Sequence, residues 1–397
     1  MTHDRRRFVQ GLAAAGLLGL AGCAGDGDEN GDGNGDGDGG GNGGNGDNGD
    51  DDVPWPPNRE LVDVMVDTDP GGLIDVQART WLQYVEPEWP GDVGSTVTNR
   101  PQANGIILFN ELMDAATDGG VMGGGRVNSI VTNQIGAEQA NFEIRDMEPL
   151  VGFSTDTRAL QFNPRTTPVE DHFEMTWTDF QELAEEQTLV FPYANAAQLV
   201  FAQYTRENDP VLNEDNWQFV EVDGGSEARA AMERGDLDGY FGSYVSNYSA
   251  RNDAYFTQFV FANPESAFYE GIADTLPEIA PTVDDPVEKT LRNNPQGIIL
   301  NAENYPEEAA RTAITLVEDT LMLFLPPDTH PGVIDIHEEA WGAAAESDEL
   351  ASAIAEAFAP EDHNPIVGDP VREIVDQKIQ AFLDNEEIRE LIEREVF

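Results

Sequence analysis

From Glu60 onward, short apolar runs alternate with longer runs at helical spacing. ELVDVMVD (60–67) alternates and stops at a turn, as a strand does. LIDVQARTWLQYVE (73–86) follows, and Leu73, Val76, Trp81 and Val85 can share one helical face. GSTVTNRP reads as a strand and loop, NGIILFNELMDAA as a helix, GGVMGGG as a short strand and RVNSIVTNQIG as another helix. Strands alternating with helices predict an α/β domain around a mostly parallel sheet. MEPLVGFST and ALQFNP read as strands that leave this domain, and a second α/β set begins. TWTDFQELAEE is a helix, with Thr178 or Asp179 as cap and Glu182 available to close a capping box. TLVFPYANAAQLVFAQYTREN is strand, turn and helix, and WQFVEVDGGSEARAAMERGD repeats that unit. LDGYFGSYVSNY adds a strand, FTQFVFA brings the chain back, and the last segments are helical. The chain thus goes out near Gly152 and returns near Phe259, which predicts one domain from 53–152 and 260–397 and a second from 153–259. Two crossings predict a hinge and an interdomain cleft, with the ligand beyond the carboxyl ends of the strands.

Several strand-to-helix turns carry small residues where a helix begins. They are Pro70-Gly71-Gly72-Leu73, Tyr193-Ala194-Asn195-Ala196 with Asn195 as N-cap, and Gly224-Gly225-Ser226 with Ser226 as N-cap. First-turn N–H groups and the helix dipole together suit an anion without a cationic side chain. Each turn equally serves as a tight connection. Enzymatic patterns are thin: no G-x-S-x-G, P-loop or H-E-x-x-H occurs, and GGVMGGG lacks the dinucleotide fingerprint. His172, His330, His337 and His363 read as solvated surface, and no metal or cofactor is expected. Acidic pairs are too common here to mark acid–base chemistry.

That abundance of acid changes the picture. Of 397 residues, 76 are Asp or Glu against 21 Lys or Arg, a formal charge of −55. The lysines are Lys289 and Lys378. Nucleic acid is excluded as a partner, because phosphate binding wants Lys and Arg. In ordinary salt such like charge opposes compaction, whereas in molar salt the Debye length falls to roughly 3 Å. A salt-saturated habitat is the simplest account, since 40% hydrophobic content with 19 Phe and 6 Trp argues against a disordered acidic chain.

The N-terminus reads as an address. Arg5-Arg6-Arg7-Phe8, an apolar run too short to span a bilayer, and LAGC ending at Cys23 occur in order over residues 1–23. This resembles a twin-arginine export signal with a lipobox, as in a haloarchaeal-type exported lipoprotein, and implies lipidation of Cys23. Residues 24–52 are nearly all Gly, Asp and Asn and form a tether, with a reach of roughly 30 Å r.m.s.. A lone cysteine leaves no intrachain disulfide. The expected location is the extracellular face of the cytoplasmic membrane.

PGGLIDVQAR (70–79), NRPQANG (99–105) and the strand before the Gly-rich run resemble the opening of the solute receptors of tripartite tricarboxylate transporters. PLVGFSTDTRALQFNP, AAQLVFAQY, EVDGGSEARAAMERGDLDGYF and FLPPDTHPGVIDIHEEAWGAAAESDEL extend the resemblance, in order, to about Leu350. It implies a two-domain type II periplasmic-binding-protein fold that closes on a small carboxylate and delivers it to integral-membrane permease subunits; it does not imply an enzyme. It further implies that Gly71, Gly72 and Leu73 hold a ligand carboxylate, with Asn99, Asn104 and Gly105 in a second loop. Asp75 then either orients water or a ligand donor group, or braces the turn. From the other domain Tyr193, Asn195, Ala196, Gly225 and Ser243 are candidates. Arg126 is available to a second carboxylate or to a surface ion pair.

This chain departs from the family pattern at several points. Its Pro192-Tyr193 loop is shorter, Gln198 stands where histidine is common, Asp223 replaces a basic residue, and 289–319 looks like an insertion. Ligand identity stays open between di- or tricarboxylates and another small ligand such as an amino acid, aromatic acid or phosphonate. A sensor role and an extracellular enzyme are the rival functions.

Overall fold

The computed structural model describes residues 53–55, 60–156, 158–163, 166–167, 176–222, 224–243, 256–261, 304–357 and 365–395. Cys23, the tether, Lys289, Asp223, His172 and His363 lie outside these residues. The stretch Val53–Phe397 forms one compact unit.

The first lobe is built on strands β1 (Leu61–Val66), β2 (Gly94–Asn99), β3 (Val121–Arg126), β4 (Glu148–Asp156), β10 (Asp319–Leu325) and β11 (Ile366–Val367). Their order is β11-β4-β10-β3-β1-β2. β1 pairs parallel with β2 and β3, while β10 runs antiparallel between β3 and β4. Helices α1 (Leu73–Val85), α2 (Ile106–Met113) and α3 (Val127–Gly136) follow β1, β2 and β3 in turn. This is the βαβ alternation read from the sequence, with a returning strand inserted in the sheet.

The second lobe takes β5 (Arg158–Phe162), β6 (Leu189–Tyr193), β7 (Trp217–Glu221), β8 (Gly239–Ser243) and β9 (Phe256–Phe261), with α4 (Trp177–Glu186), α5 (Ala196–Asn208) and α6 (Gly225–Arg234). β8-β5-β9 form an antiparallel sheet and β6-β7 a parallel pair. Asp238 ties the two together: its N–H donates to the Val190 carbonyl, and its carboxylate accepts the Val190 N–H. The remaining helices are α7 (Glu307–Val317), α8 (Pro331–Ala345), α9 (Asp348–Ala357), α10 (Asp369–Phe382) and α11 (Glu386–Glu395). None of the described helices is long and apolar enough to cross a membrane.

Three local readings are corrected. The α4 cap is Thr176, not Thr178 or Asp179, and Asp179 rather than Glu182 closes the capping box. The cap lies two or three residues earlier than expected because Trp177 is buried in the first turn, bonded through its indole N–H to Asp209. Ser226 lies inside α6, whose extended N-cap is Gly224. His337 is not on the surface. It is fully buried against Trp55 and Trp89 and bonds the Gly119 carbonyl. Burial pushes its pKa down to about 4, against that bond.

One apolar core runs beneath both lobes. It joins Phe109, Ile130 and Met322 of the first to Phe162, Trp177, Phe191 and Trp217 of the second, and takes in Val375 and Ile392 from the C-terminal helices. The second face of the main sheet has its own core around Trp81, Phe153 and Trp341. Lys378 is also inside, donating to the carbonyls of Thr315 and Glu318 at the end of α7, and burial lowers its pKa.

Candidate functional site

The carboxyl ends of β1 and β3 face the N-terminus of α5 across a cavity of about 170 Å³. Asp67, Thr68, Asn104, Arg126, Ser129 and Asn133 line it from the first lobe. Ala194, Asn195 and Ala196 line it from the second. It lies where open α/β sheets bind ligands, beyond strand ends where loops and helix starts converge.

Beside it, the turn after β1 is a closed polar clasp. Gly71 has φ +85°, a left-handed conformation that glycine takes without steric cost. Gly72 is needed for space: a Cβ there would sit 2.8 Å from the Thr68 Cβ. Their N–H groups are taken. The Gly71 N–H donates to Asp75 Oδ2 at 2.8 Å and the Gly72 N–H to the Asp69 carbonyl at 2.9 Å. Asp75 Oδ1 accepts from Arg79 Nε at 2.8 Å and Asn99 Nδ2 at 3.0 Å. Asn99 Nδ2 also bonds the Thr68 carbonyl, and Arg79 reaches Val97 O and Asn99 Oδ1. Burial alone would raise the Asp75 pKa, but these hydrogen bonds and the Arg79 charge outweigh it and lower the pKa. Of the two roles open to Asp75, the bonds drawn here are those of a brace. The buried face of α1 is Ile74, Ala78, Trp81, Leu82 and Val85, rotated from the expected one so that Asp75 turns inward, 3% exposed.

The cavity floor is different. Asp67 sits at the end of β1 between two glycines. A Cβ on Gly105 would meet the Asp67 Cβ at 2.8 Å, and one on Gly125 would meet Oδ2 at 2.7 Å. Asp67 Oδ1 and Thr68 Oγ1 are buried and meet no hydrogen-bond partner among the described residues. Burial pushes the Asp67 carboxyl up to about 7; the nearby Asp319 carboxylate adds to this, while the Arg126 charge and backbone N–H oppose it. Three successive residues with positive φ, Ala103, Asn104 and Gly105, form the adjoining loop. Asn133 Nδ2 pins that loop by donating to the Asn104 carbonyl at 2.9 Å. Left-handed φ at Ala103 and Asn104 is strain of about 1–3 kcal/mol each, the kind found at binding sites.

From the second lobe, Asn195 caps α5 by accepting the Gln198 N–H at 2.9 Å. Gln198 staples the same turn. Its Oε1 accepts from Ala194 N at 2.6 Å and its Nε2 donates to the Phe241 carbonyl at 3.2 Å. The N–H groups of Ala196 and Ala197 have no intrahelical acceptor and carry the positive end of the helix dipole.

Of the expected site residues, Asn104, Arg126, Asn195 and Ala196 line the cavity. Gly71, Gly72, Leu73, Asp75 and Asn99 lie in or beside the clasp, and Gly105 lies under Asp67. Tyr193 ends β6, Gly225 begins α6 and Ser243 ends β8 opposite Arg158, all outside the cavity lining. The sequence reading missed Asp67, Thr68, Ser129 and Asn133, and named Ala194 only as part of its turn. A signal was present for the helical pair, because Arg126, Ser129 and Asn133 follow one another at helical spacing along one face. Among the described residues no group of three or more His, Cys, Asp or Glu is placed to hold a metal.

No protein-family description and no curated protein matches this chain. Solved structures do share its fold. A TctC solute-binding protein from Polaromonas, solved without ligand, has a TM-score of 0.56 at 13% identity over 84% of this chain and 97% of that one. MatC from Rhodopseudomonas palustris, with bound malate, has a TM-score of 0.56 at 15% identity over 84% and 98%. A second R. palustris protein, solved with adipate, reaches 0.58 at 13% identity over 85% and 98%. The chain therefore has the periplasmic-binding-protein fold of the TctC-type receptors, the fold class read from its sequence.

Proposed function

We propose that this protein is an extracytoplasmic solute receptor that captures a small carboxylate for a tripartite tricarboxylate-type membrane transporter. The observation that carries the reading is the cavity between the lobes, with Arg126 on one wall and the start of α5 on the other, in a fold shared with malate- and adipate-bound proteins. Arg126 supplies a charge-assisted contact to one ligand carboxylate, and the α5 N-terminus and Asn104 receive the rest of the molecule. The clasp keeps the Thr68 wall in place through Gly72 and Asn99. Charge-assisted bonds of about 1.5–3 kcal/mol each are enough for micromolar binding, near −8 kcal/mol.

The protein acts by binding rather than turnover, with no cofactor. Its partners are the small organic anion and the permease subunits that receive it. Twin-arginine export, lipidation at Cys23 and the tether of 24–52 place it on the outer face of the cytoplasmic membrane in this proposal.

The test is calorimetric titration of the protein with malate, adipate and citrate in molar KCl. A micromolar Kd for at least one is expected, with Arg126→Gln weakening it more than about tenfold, the loss of one charged contact. Failure of all three to bind overturns the reading.

A further inference from the structure

The cavity wall contains one acid that neither the clasp nor the core explains. Asp67 is held by packing, with Gly105 and Gly125 cut back to the backbone on either side of it. One oxygen, Oδ1, is buried without a hydrogen-bond partner among the described residues. The charged groups facing it are Arg126 from the β3–α3 junction and Asp319 from the start of β10. Asp319 in turn accepts the Asn128 N–H at 3.0 Å and shares the field of the buried Lys378. From α2 the neighbour is the uncharged Phe109, and α3 contributes to the same cavity the uncharged Ser129 and Asn133. Asp67 and the Arg126 side chain therefore line one cavity, and the Asp319 charge bears on Asp67 from behind.

We propose that the cleft takes up its organic anion together with a proton on Asp67, because the ionised Asp67 and the ligand carboxylate compete for the same Arg126. This rests on the receptor reading above and names the residue that sets its pH range. Bringing a ligand carboxylate beside an ionised Asp67 costs repulsion that one proton removes. The carboxyl's own midpoint, about 7 without ligand, sets where that proton must be fetched from solution. Reciprocity follows: the anion raises proton affinity at Asp67, and the proton raises anion affinity in the cleft. Molar salt screens long-range charge over roughly 3 Å but leaves a buried pair in place.

The experiment is calorimetry on the full chain in molar KCl, using whichever of malate, adipate or citrate gives heat at about pH 6, repeated at about pH 7.5 and 9 in two buffers of different ionisation enthalpy. The expected Kd is flat on the acid side and rises toward tenfold per pH unit on the alkaline side, with about one proton taken up per ligand. In Asp67→Asn, checked for native circular dichroism, the slope and the buffer-dependent heat disappear, whatever the affinity itself becomes. Binding by the wild type with no slope and no proton uptake, or a full slope in Asp67→Asn, overturns the inference and leaves the receptor reading standing. No heat from any of the three acids at any pH overturns both.

Discussion

Asp67 and Asp75 stand at opposite ends of one strand-to-helix turn and have opposite fates. Asp75 receives a backbone N–H, a guanidinium and an amide, and its carboxyl is held below the ordinary range. Asp67 keeps a buried oxygen unpaired among the described residues, faces a second carboxylate, and is held well above that range. The same side chain is spent on structure in one place and held at a cost in the other. Buried polar groups are nearly always satisfied, so an unsatisfied one lining a cavity is the exception that the proposal above builds on.

The largest effect should come from removing the unsatisfied member. Unfolded, Asp67 ionises near 3.8; folded, it keeps its proton to about 7. Between those values the unfolded state sheds the proton and the folded state does not, so stability falls as pH rises through that window. Asp67→Asn should therefore be more stable than wild type at about pH 8, by up to about 4 kcal/mol, with the gap closing below the ordinary Asp pKa. Denaturant melts in molar salt at both ends of the window measure it, and equal stability of the two proteins at alkaline pH would refute the difference drawn here.

Asp75→Asn should act in the reverse direction, costing about 2 kcal/mol at neutral pH, because a charged acceptor for several donors is lost. The half-exposed Arg79 contributes little of this, since water screens it. The Asp75 carboxyl is depressed in the fold, so its stabilisation is present above the ordinary Asp pKa and lost as pH falls through the folded one. The same melts, carried to acid pH, should show variant and wild type converging.

The smallest contrast is within the glycine pair. Gly71→Ala meets no atom within 4 Å and should cost only the left-handed backbone, about 1 kcal/mol, without touching ligand affinity. Gly72→Ala has an ordinary φ but drives its methyl into Thr68, so it should change ligand Kd by moving the cavity wall. Thermal melts and ligand titration of the two variants separate the roles.

Much of this architecture was legible in the sequence, because strand and helix periods differ and each lobe repeats them. The positions of Arg126, Asn195 and Ala196 beside the cavity could be read because strand ends, caps and helix starts have sequence signatures, whereas Asn104 came from the family resemblance alone. The amides of Gly71 and Gly72 show where that legibility ends. A Gly-Gly turn announces two N–H groups, but which acceptor takes them depends on a carboxylate arriving from the first turn of α1 and a carbonyl folding back from Asp69. His337 is similar. Its neighbours in sequence are polar enough to suggest surface, and it is buried because Trp55 and Trp89, distant in the chain, close over it. Asp67 was the last letter of an obvious strand, yet the two glycines and Arg126 that make it unusual meet it only in three dimensions.

The buried Lys378 has a practical consequence. Its ammonium is fastened to two carbonyls inside a protein with hardly any other primary amines. Reagents that acylate amines, including those used to couple proteins to sensor chips or dyes, find this position closed while the chain is folded and open once it is not. A mass tag on Lys378 would then be a record of unfolding, written by chemistry the native surface barely permits.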